Sequence, residues 1–294
     1  MQLEIAGSTL RWGSKTFVMG IINITPDSFS ADGLAQRAEG AIAAACAQAQ
    51  RFAAEGADIL DVGGESTRPG AAPVGLDEER ERVVPVVAAL AREVGLPISV
   101  DTYHAEVAAA ALDAGAHIIN DIWGLRTPEG GWNEPLAHAV AQRGAPLVLM
   151  HNRRAQAQQS HLGGHYAQVA YADLIGEILA GLAESVAYAV ARGIPRERLI
   201  IDPGIGFGKT PEQNLEVVRR LAEFRALGLP MLVGASRKSF IGLPLGLPPQ
   251  ERDEGTAAVT ALAVAAGADV VRVHNVQMNL RAARIADAIY RHTP

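Results

Sequence analysis

The apolar positions along the chain fall into one unit that recurs. A short run rich in β-branched residues ends in polar residues or glycine, and a longer Ala- and Leu-rich stretch with helical spacing follows. The runs predict strands at Phe17–Ile24, Asp58–Val62, Ile98–Asp101, His117–Ile122, Leu147–His151, Leu199–Asp202, Met231–Gly234 and Val270–His274. Helices are predicted near 36–55, 77–94, 104–114, 134–143, 168–192, 212–227, 255–266 and 277–291. Gly56, Gly95, Gly115, Gly144, Gly193, Gly228 and Gly267 stand where those helices should stop. Residues 1–16 read as a hairpin that turns at Gly7-Ser8. Eight strand-then-helix units in roughly 280 residues fit an α/β chain built as a single (β/α)8 TIM barrel with an N-terminal β-hairpin. The expected domain is residues 1–294. A doubly wound open sheet is the alternative. It would more often carry a glycine fingerprint after its first strand, and none is there.

A barrel of this kind places its chemistry at the C-terminal ends of the strands. Those ends carry Asn23, then Glu65-Ser66-Thr67-Arg68, Asp101-Thr102, Asn120-Asp121, Met150-His151, Asp202, Ser236-Arg237-Lys238-Ser239, and Arg272 with His274-Asn275. Every end offers a group able to bind a ligand, which argues for one large polar pocket.

Composition narrows the class. With 49% hydrophobic and 20% charged residues the chain can bury a sizeable core. Its net charge is −6 and it has no basic run, which argues against a nucleic-acid groove. Cys46 is its one cysteine, so a disulfide framework and a cysteine metal cluster are both excluded. Met1-Gln2-Leu3-Glu4 does not read as a signal peptide, and no apolar run reaches ~18 residues without charges or turn residues. A cytoplasmic protein without a membrane partner is the expectation.

Three familiar motifs fail. Gly204-Ile205-Gly206-Phe207-Gly208-Lys209-Thr210 resembles a phosphate loop, but Pro203 stands where a Walker A loop needs its first glycine. Gly64-Glu65-Ser66-Thr67-Arg68 lacks the second glycine of a nucleophile elbow. His161 and His165 have metal-ligand spacing, yet Gly163-Gly164 breaks the helix they would need.

Other signals are positive, each beside a plainer reading. Asp202, before Pro203-Gly204, can accept two hydrogen bonds from a flat donor edge such as that of a heterocycle, or can cap the turn that follows. Arg272 and His274 alternate on one strand and share a face; near the Gly234–Ser239 loop they suit an oxyanion clamp, or a salt bridge with a carboxylate. The Asn23 amide oxygen can ligate a hard cation such as Mg2+. Phe207, among three glycines, is a loop-packing residue or an aromatic platform. The loops from Thr25-Pro26-Asp27 and Thr67-Arg68-Pro69-Gly70 are candidate lids.

Together these segments resemble the dihydropteroate synthase family. The resemblance lies in Met19-Gly20-Ile21-Ile22-Asn23-Ile24-Thr25-Pro26-Asp27-Ser28-Phe29-Ser30, Gly63-Gly64-Glu65-Ser66-Thr67-Arg68-Pro69-Gly70, Ser99-Val100-Asp101-Thr102, Ile118-Ile119-Asn120-Asp121, Ile201-Asp202-Pro203-Gly204-Ile205-Gly206-Phe207-Gly208-Lys209, Gly234-Ala235-Ser236-Arg237-Lys238-Ser239-Phe240 and Arg272-Val273-His274. It spans residues 17 to 290 in family order.

The resemblance implies an enzyme that joins a dihydropterin methyl diphosphate to p-aminobenzoate, releases pyrophosphate, uses Mg2+, is inhibited by sulfonamides and works as a homodimer. It implies that Asp101, Asn120, Met150, Asp202 and Lys238 hold the pterin. Asn23, Thr67, Arg272 and His274 would bind the diphosphate, with Asn23 also meeting the metal. Thr67, Arg68, Pro69, Phe207, Lys238 and Ser239 would form the p-aminobenzoate site. Asp101, Lys238, Arg272 and His274 would carry the chemistry. The loops at 25–34 and 66–74 would close over both substrates.

Two departures from the family pattern stand out. Ala31 replaces an aspartate in the first loop, with Asp32 beside it, and Asn152 replaces a methionine after strand five. A pterin-barrel methyltransferase acting on a corrinoid could share the barrel and Asp202, but does not need the Ser-Thr-Arg-Pro or Ser-Arg-Lys-Ser turns. A silent pterin-binding homologue would lose the diphosphate groups, which this chain keeps.

Overall fold

The computed structural model describes residues 1–24, 34–65, 74–159 and 165–291. Strands β1 (Gln2–Ile5) and β2 (Ser8–Arg11) form the expected antiparallel hairpin. The repeat then runs β3 (Phe17–Asn23), α1 (Leu34–Glu55), β4 (Ile59–Gly63), α2 (Leu76–Glu93), β5 (Ile98–Asp101), α3 (Ala105–Asp113), β6 (Ile118–Asp121), α4 (Glu134–Arg143) and β7 (Leu147–Met150). After β7 come a small ribbon of β8 (Gln158–Gln159) and β9 (Tyr166–Gln168), then α5 (Leu174–Ala191), β10 (Leu199–Asp202) and α6 (Pro211–Arg219). The chain ends with β11 (Leu232–Val233), α7 (Ser239–Leu245), α8 (Asp253–Ala265), β12 (Val270–Val273) and α9 (Val276–Tyr290).

Eight strands pair in the order β10-β7-β6-β5-β4-β3-β12-β11, and every pair is parallel. A parallel bridge between Ile201 and Met231 joins the two ends and closes the barrel. Alternation along each strand then divides the core in two. Val18, Leu60, Val62, Ile98, Val100, Ile119, Leu147, Leu149, Leu199, Ile201, Val233, Val271 and Val273 pack outward against the helices. Phe17, Met19, Ile59, Ile118, Val148, Ile200, Leu232 and Val270 fill the inside of the lower barrel. The hairpin adds Leu3, Ile5 and Leu10 to that inner cluster, so it plugs the barrel's N-terminal end.

Two predicted boundaries are corrected. The helix expected over 168–192 starts at Leu174, because Asp173 caps it by accepting from the Gly176 N–H at 3.1 Å, and Gln168 belongs to β9. The helix expected over 212–227 stops at Arg219 and continues as 3-10 turns that bury Leu221 and Phe224, three residues apart. Helix α7 was not expected at all. Gly56, Gly115, Gly144, Gly193, Gly228 and Gly267 take the left-handed φ of a helix stop; Gly95 does not, since α2 ends through an extended Val94.

Candidate active site

The residue two places above each lower inner position also points inward, now at the C-terminal mouth. Counting up from Ile59, Ile118, Val148, Ile200, Leu232 and Val270 gives Asp61, Asn120, Met150, Asp202, Gly234 and Arg272. Register brings them level: Asp101 pairs with Asn120 and with Gly63, Gly63 with Asn23, and Asp202 with Met150. The inside of the barrel is therefore apolar below and polar above.

Arg272 lies between two carboxylates. Its Nε donates to Asp61 Oδ2 at 2.5 Å and its Nη2 to Asp101 Oδ2 at 2.8 Å. Asp61 Oδ2 also accepts from Asn120 Nδ2 at 3.3 Å. Asp61 is fully buried, and its other oxygen meets no hydrogen-bond donor among the described residues. Burial pushes the Asp101 carboxyl above its usual range, against the pull of Arg272, and the charges of Asp61, Glu79 and Glu65 push the same way. The salt-bridge reading of Arg272 therefore holds in this structure. Nη1 is the guanidinium nitrogen used in neither pair.

Across the mouth, Asp202 Oδ1 accepts from the Gly204 N–H at 2.7 Å, so one oxygen caps the turn while Oδ2 is left over. A methyl group on Gly234 would sit 3.8 Å from Asp202 Oδ2 and 4.0 Å from both Lys238 Nζ and Arg272 Cβ, which shows these groups gathered round one glycine. Burial raises the Asp202 pKa despite the nearby Lys238 and Lys209 charges. Burial lowers that of Lys238 to about 8. Lys238 Nζ donates to Ile205 O and lies 4.6 Å from the centre of the Phe207 ring. Ile122, Trp123, Met150 and Phe207, with Tyr103 against them, form an apolar wall separate from both barrel cores.

The loop carrying Phe207 is tightly fitted. Gly204 has φ +71°, and a Cβ there would fall 1.8 Å from His151 O; Gly208 has φ +62°, and a Cβ would meet the Arg153 backbone at 2.3 Å. Asn214 braces it by accepting from the Gly206 N–H at 2.6 Å.

His274 stands past the end of β12, with Nδ1 2.9 Å from Ser236 Oγ and its N–H donating to the same hydroxyl at 3.1 Å. Arg237 turns away from the mouth: it forms a two-point pair with Asp253 on α8 at 2.7 and 2.8 Å, and sits at φ +58°. That bend leaves Lys238 as N-cap of α7 with Ser239 first in the helix. Asn23 ends β3, and its Oδ1 lies 4.0 Å from the Cβ that Gly63 lacks, near Asp101. Among the described residues no group of three or more His, Cys, Asp or Glu could hold a metal. Thr67, Arg68 and Pro69 lie outside the described residues, as do 25–33, including Ala31 and Asp32.

Two residues of the site escaped the sequence reading. Asp61 had a signal, an acidic residue in the middle of the apolar run Ile59-Leu60-Asp61-Val62. Lys209 stands in the failed phosphate-loop motif and at the end of a family segment, with no role assigned to it, yet it is 1% exposed beside His151.

Comparison with known proteins agrees with this geometry. A family model described as a pterin binding enzyme matches residues 19–274. The dihydropteroate synthase of Bacillus subtilis is 46% identical over 283 residues, covering 96% of this chain and 91% of the relative. The structure of the Yersinia pestis dihydropteroate synthase with a sulfonamide drug superimposes with a TM-score of 0.84 at 40% identity, covering 98% of each chain. That from Xanthomonas albilineans, in complex with 7,8-dihydropteroate, gives 0.84 at 38% identity over 100% of both chains. The chain belongs to the dihydropteroate synthase family of pterin-binding transferases.

Proposed function

We propose that the barrel mouth binds a dihydropterin methyl diphosphate and p-aminobenzoate and joins them, with pyrophosphate leaving. The observation that carries this reading is the grouping of Asp202 Oδ2, Lys238 and Arg272 round Gly234, a carboxylate and two cations in one buried mouth. Asp202 Oδ2 takes the N–H and NH2 edge of the pterin, Asn120 and Asp101 the rest of the ring, and Met150 with its apolar neighbours one face. Phe207, Lys238 and Ser239 border the p-aminobenzoate, together with Thr67, Arg68 and Pro69. Sulfonamides, one of which the Yersinia pestis relative binds, would compete there.

The reaction displaces pyrophosphate at a CH2 carbon. Arg272 and His274, on successive inward positions of one strand end, stabilise the charge that grows on the leaving oxygen, and Thr67 adds a hydroxyl. Because Asp61 and Asp101 hold two nitrogens of the guanidinium, it meets the diphosphate without first having to be ordered. The reduced pterin donates electron density into the CH2, and Asp101 stabilises the cation-like carbon that results. The arylamine attacks as the neutral base, so no strong general base is required.

Mg2+ fits this arrangement as a metal carried by the diphosphate, since Asn23 Oδ1 offers one hard oxygen beside Gly63 and Asp101, and Mg2+ keeps most of its shell as water and phosphate oxygen. When bound it would neutralise part of the leaving group's charge. A homodimer is supported by Leu215, Leu243, Leu245 and Leu262, which expose apolar side chains along α6, α7 and α8. Turnover of pterin diphosphate and p-aminobenzoate to dihydropteroate, with Mg2+ added or chelated, tests the reading. No product under either condition refutes it.

A further inference from the structure

The segment Gly204 to Thr210 reads like a phosphate loop, yet its lysine points inward. Lys209 is 1% exposed. Its Nζ donates to Gly204 O at 2.8 Å and to Phe207 O at 3.3 Å, and lies 3.2 Å from His151 Nδ1. An ammonium has three protons and here meets three acceptors. The imidazole can be the third, because burial, with the Lys209 and Arg153 charges, holds its pKa well below 6.5 and keeps it neutral. That role places the ring proton on Nε2.

Each of the three acceptors leads to the substrate sites. Gly204 donates its own N–H to Asp202 Oδ1 at 2.7 Å, so one residue links the carboxylate to the ammonium. Phe207 donates its N–H to Gly204 O at 3.1 Å, which closes the turn beneath the ring. His151 donates its N–H to Asp202 O at 3.0 Å, which ties the end of β7 to the end of β10. A phosphate loop gathers N–H groups round an external anion. This loop gathers carbonyl groups round an internal cation, with left-handed φ angles of +71°, +83° and +62° at Gly204, Gly206 and Gly208.

We propose that Lys209 is a positioning residue for the transfer reaction: its buried ammonium, shared by Gly204 O, Phe207 O and His151 Nδ1, holds the loop in the shape that presents Asp202 to the pterin and Phe207 to the arylamine. The proposal rests on the site reading above, and it deepens it. In this role Lys209 and His151 act through the loop and the ends of β7 and β10.

Lys209→Met keeps the length of the stem and removes the charge. Its KM for p-aminobenzoate should rise by roughly tenfold or more, and its pterin affinity should fall by roughly tenfold, the scale of lost charged hydrogen bonds. Pyrophosphate affinity, which depends on Arg272 and His274, should stay within about twofold of the parent. A role confined to overall stability would lower the melting temperature and leave all three values of the folded protein unchanged. Asp202→Asn and Phe207→Ala are measured alongside. If they lose binding and a folded Lys209→Met does not, the proposal is overturned and the site reading stands. If none of the three loses binding, both fall.

A second measurement needs no variant to fold. Lysine occurs only at 15, 209 and 238, so 15N-lysine labelling of the unmodified enzyme yields three side-chain signals. Lys15 has a side chain 53% exposed, and its ammonium protons should exchange fast. Lys238 should respond to pterin. Burial lowers the Lys209 pKa to about 7, so below that pH its ammonium should show slow exchange in the enzyme without added ligand. A spectrum with no protected ammonium besides the pterin-responsive one overturns the proposal.

Discussion

Replacing Asp202 by asparagine changes one atom and reverses the hydrogen-bonding sense on one side of the group. The Gly204 N–H, at 2.7 Å from Oδ1, needs an acceptor, so the asparagine oxygen takes that place and the NH2 takes the place of Oδ2. The new donor then faces the pterin's own donors and the Lys238 ammonium. Two effects add. The bond from the pterin to a charged acceptor is lost, and a buried donor on the ligand is left without a partner. Together these cost about 2–4 kcal/mol, roughly 30- to 700-fold in affinity. Asp202 also raises the pKa of both Lys238 and Lys209, so removing its charge lets burial lower those pKa values further. The assay is calorimetric titration with a pterin that carries no phosphate, so that the diphosphate groups cannot mask the loss. An unchanged dissociation constant for a folded Asp202→Asn would refute the assignment of Oδ2 to the pterin edge.

Other outcomes follow from the same geometry. Asp61→Leu leaves Arg272 with Asp101 alone and should cost about 3–5 kcal/mol of stability, because one partner of a buried charge network is removed. Adding Arg272→Leu should recover part of that loss, and a coupling energy below about 0.5 kcal/mol in the double-mutant cycle would show that Asp61 does not hold Arg272. For pH dependence, Asp101 acts as the carboxylate and its pKa is raised, so kcat/KM should fall as pH drops through a value above the ordinary carboxylate range. Lys238 acts as the ammonium with its pKa lowered to about 8, so the rate should also fall as pH rises past that value. Lys238→Arg should lack this alkaline limb, since arginine stays protonated there; an unchanged limb would assign it elsewhere. Arg272→Ala and His274→Ala should weaken pyrophosphate but not a phosphate-free pterin, as titration with each ligand will show. Finally, p-aminobenzoate affinity should rise when Mg2+ and pyrophosphate are present, as a pterin-first binding order requires; equal affinity in both conditions counts against that order.

Much of this protein is written in local pattern. Eight short apolar runs rich in β-branched residues and a helical spacing between them are properties of the chain alone, and they were enough for the barrel, its hairpin and every barrel strand to within one residue at each end. The barrel then tells which end of each strand carries polar groups, and Asn23, Asp101, Asn120, Met150, Asp202 and Arg272 stand at those ends as read. What local pattern could not tell is which charged group meets which. Arg272 pairs with carboxylates 211 and 171 positions away, and that choice exists only once the Ile201–Met231 bridge has closed the sheet. Arg237 and Lys238 are neighbours in sequence, yet a left-handed φ at the first sends it to Asp253 and leaves the second beside Asp202. Helix α7 and the β8–β9 ribbon have too few residues for a period to show. Lys209 sits in a segment that only resembles a phosphate loop, and such a motif names residue types and not directions. Its direction was decided by burial, where an ammonium persists only beside enough acceptors, and the fold supplies three.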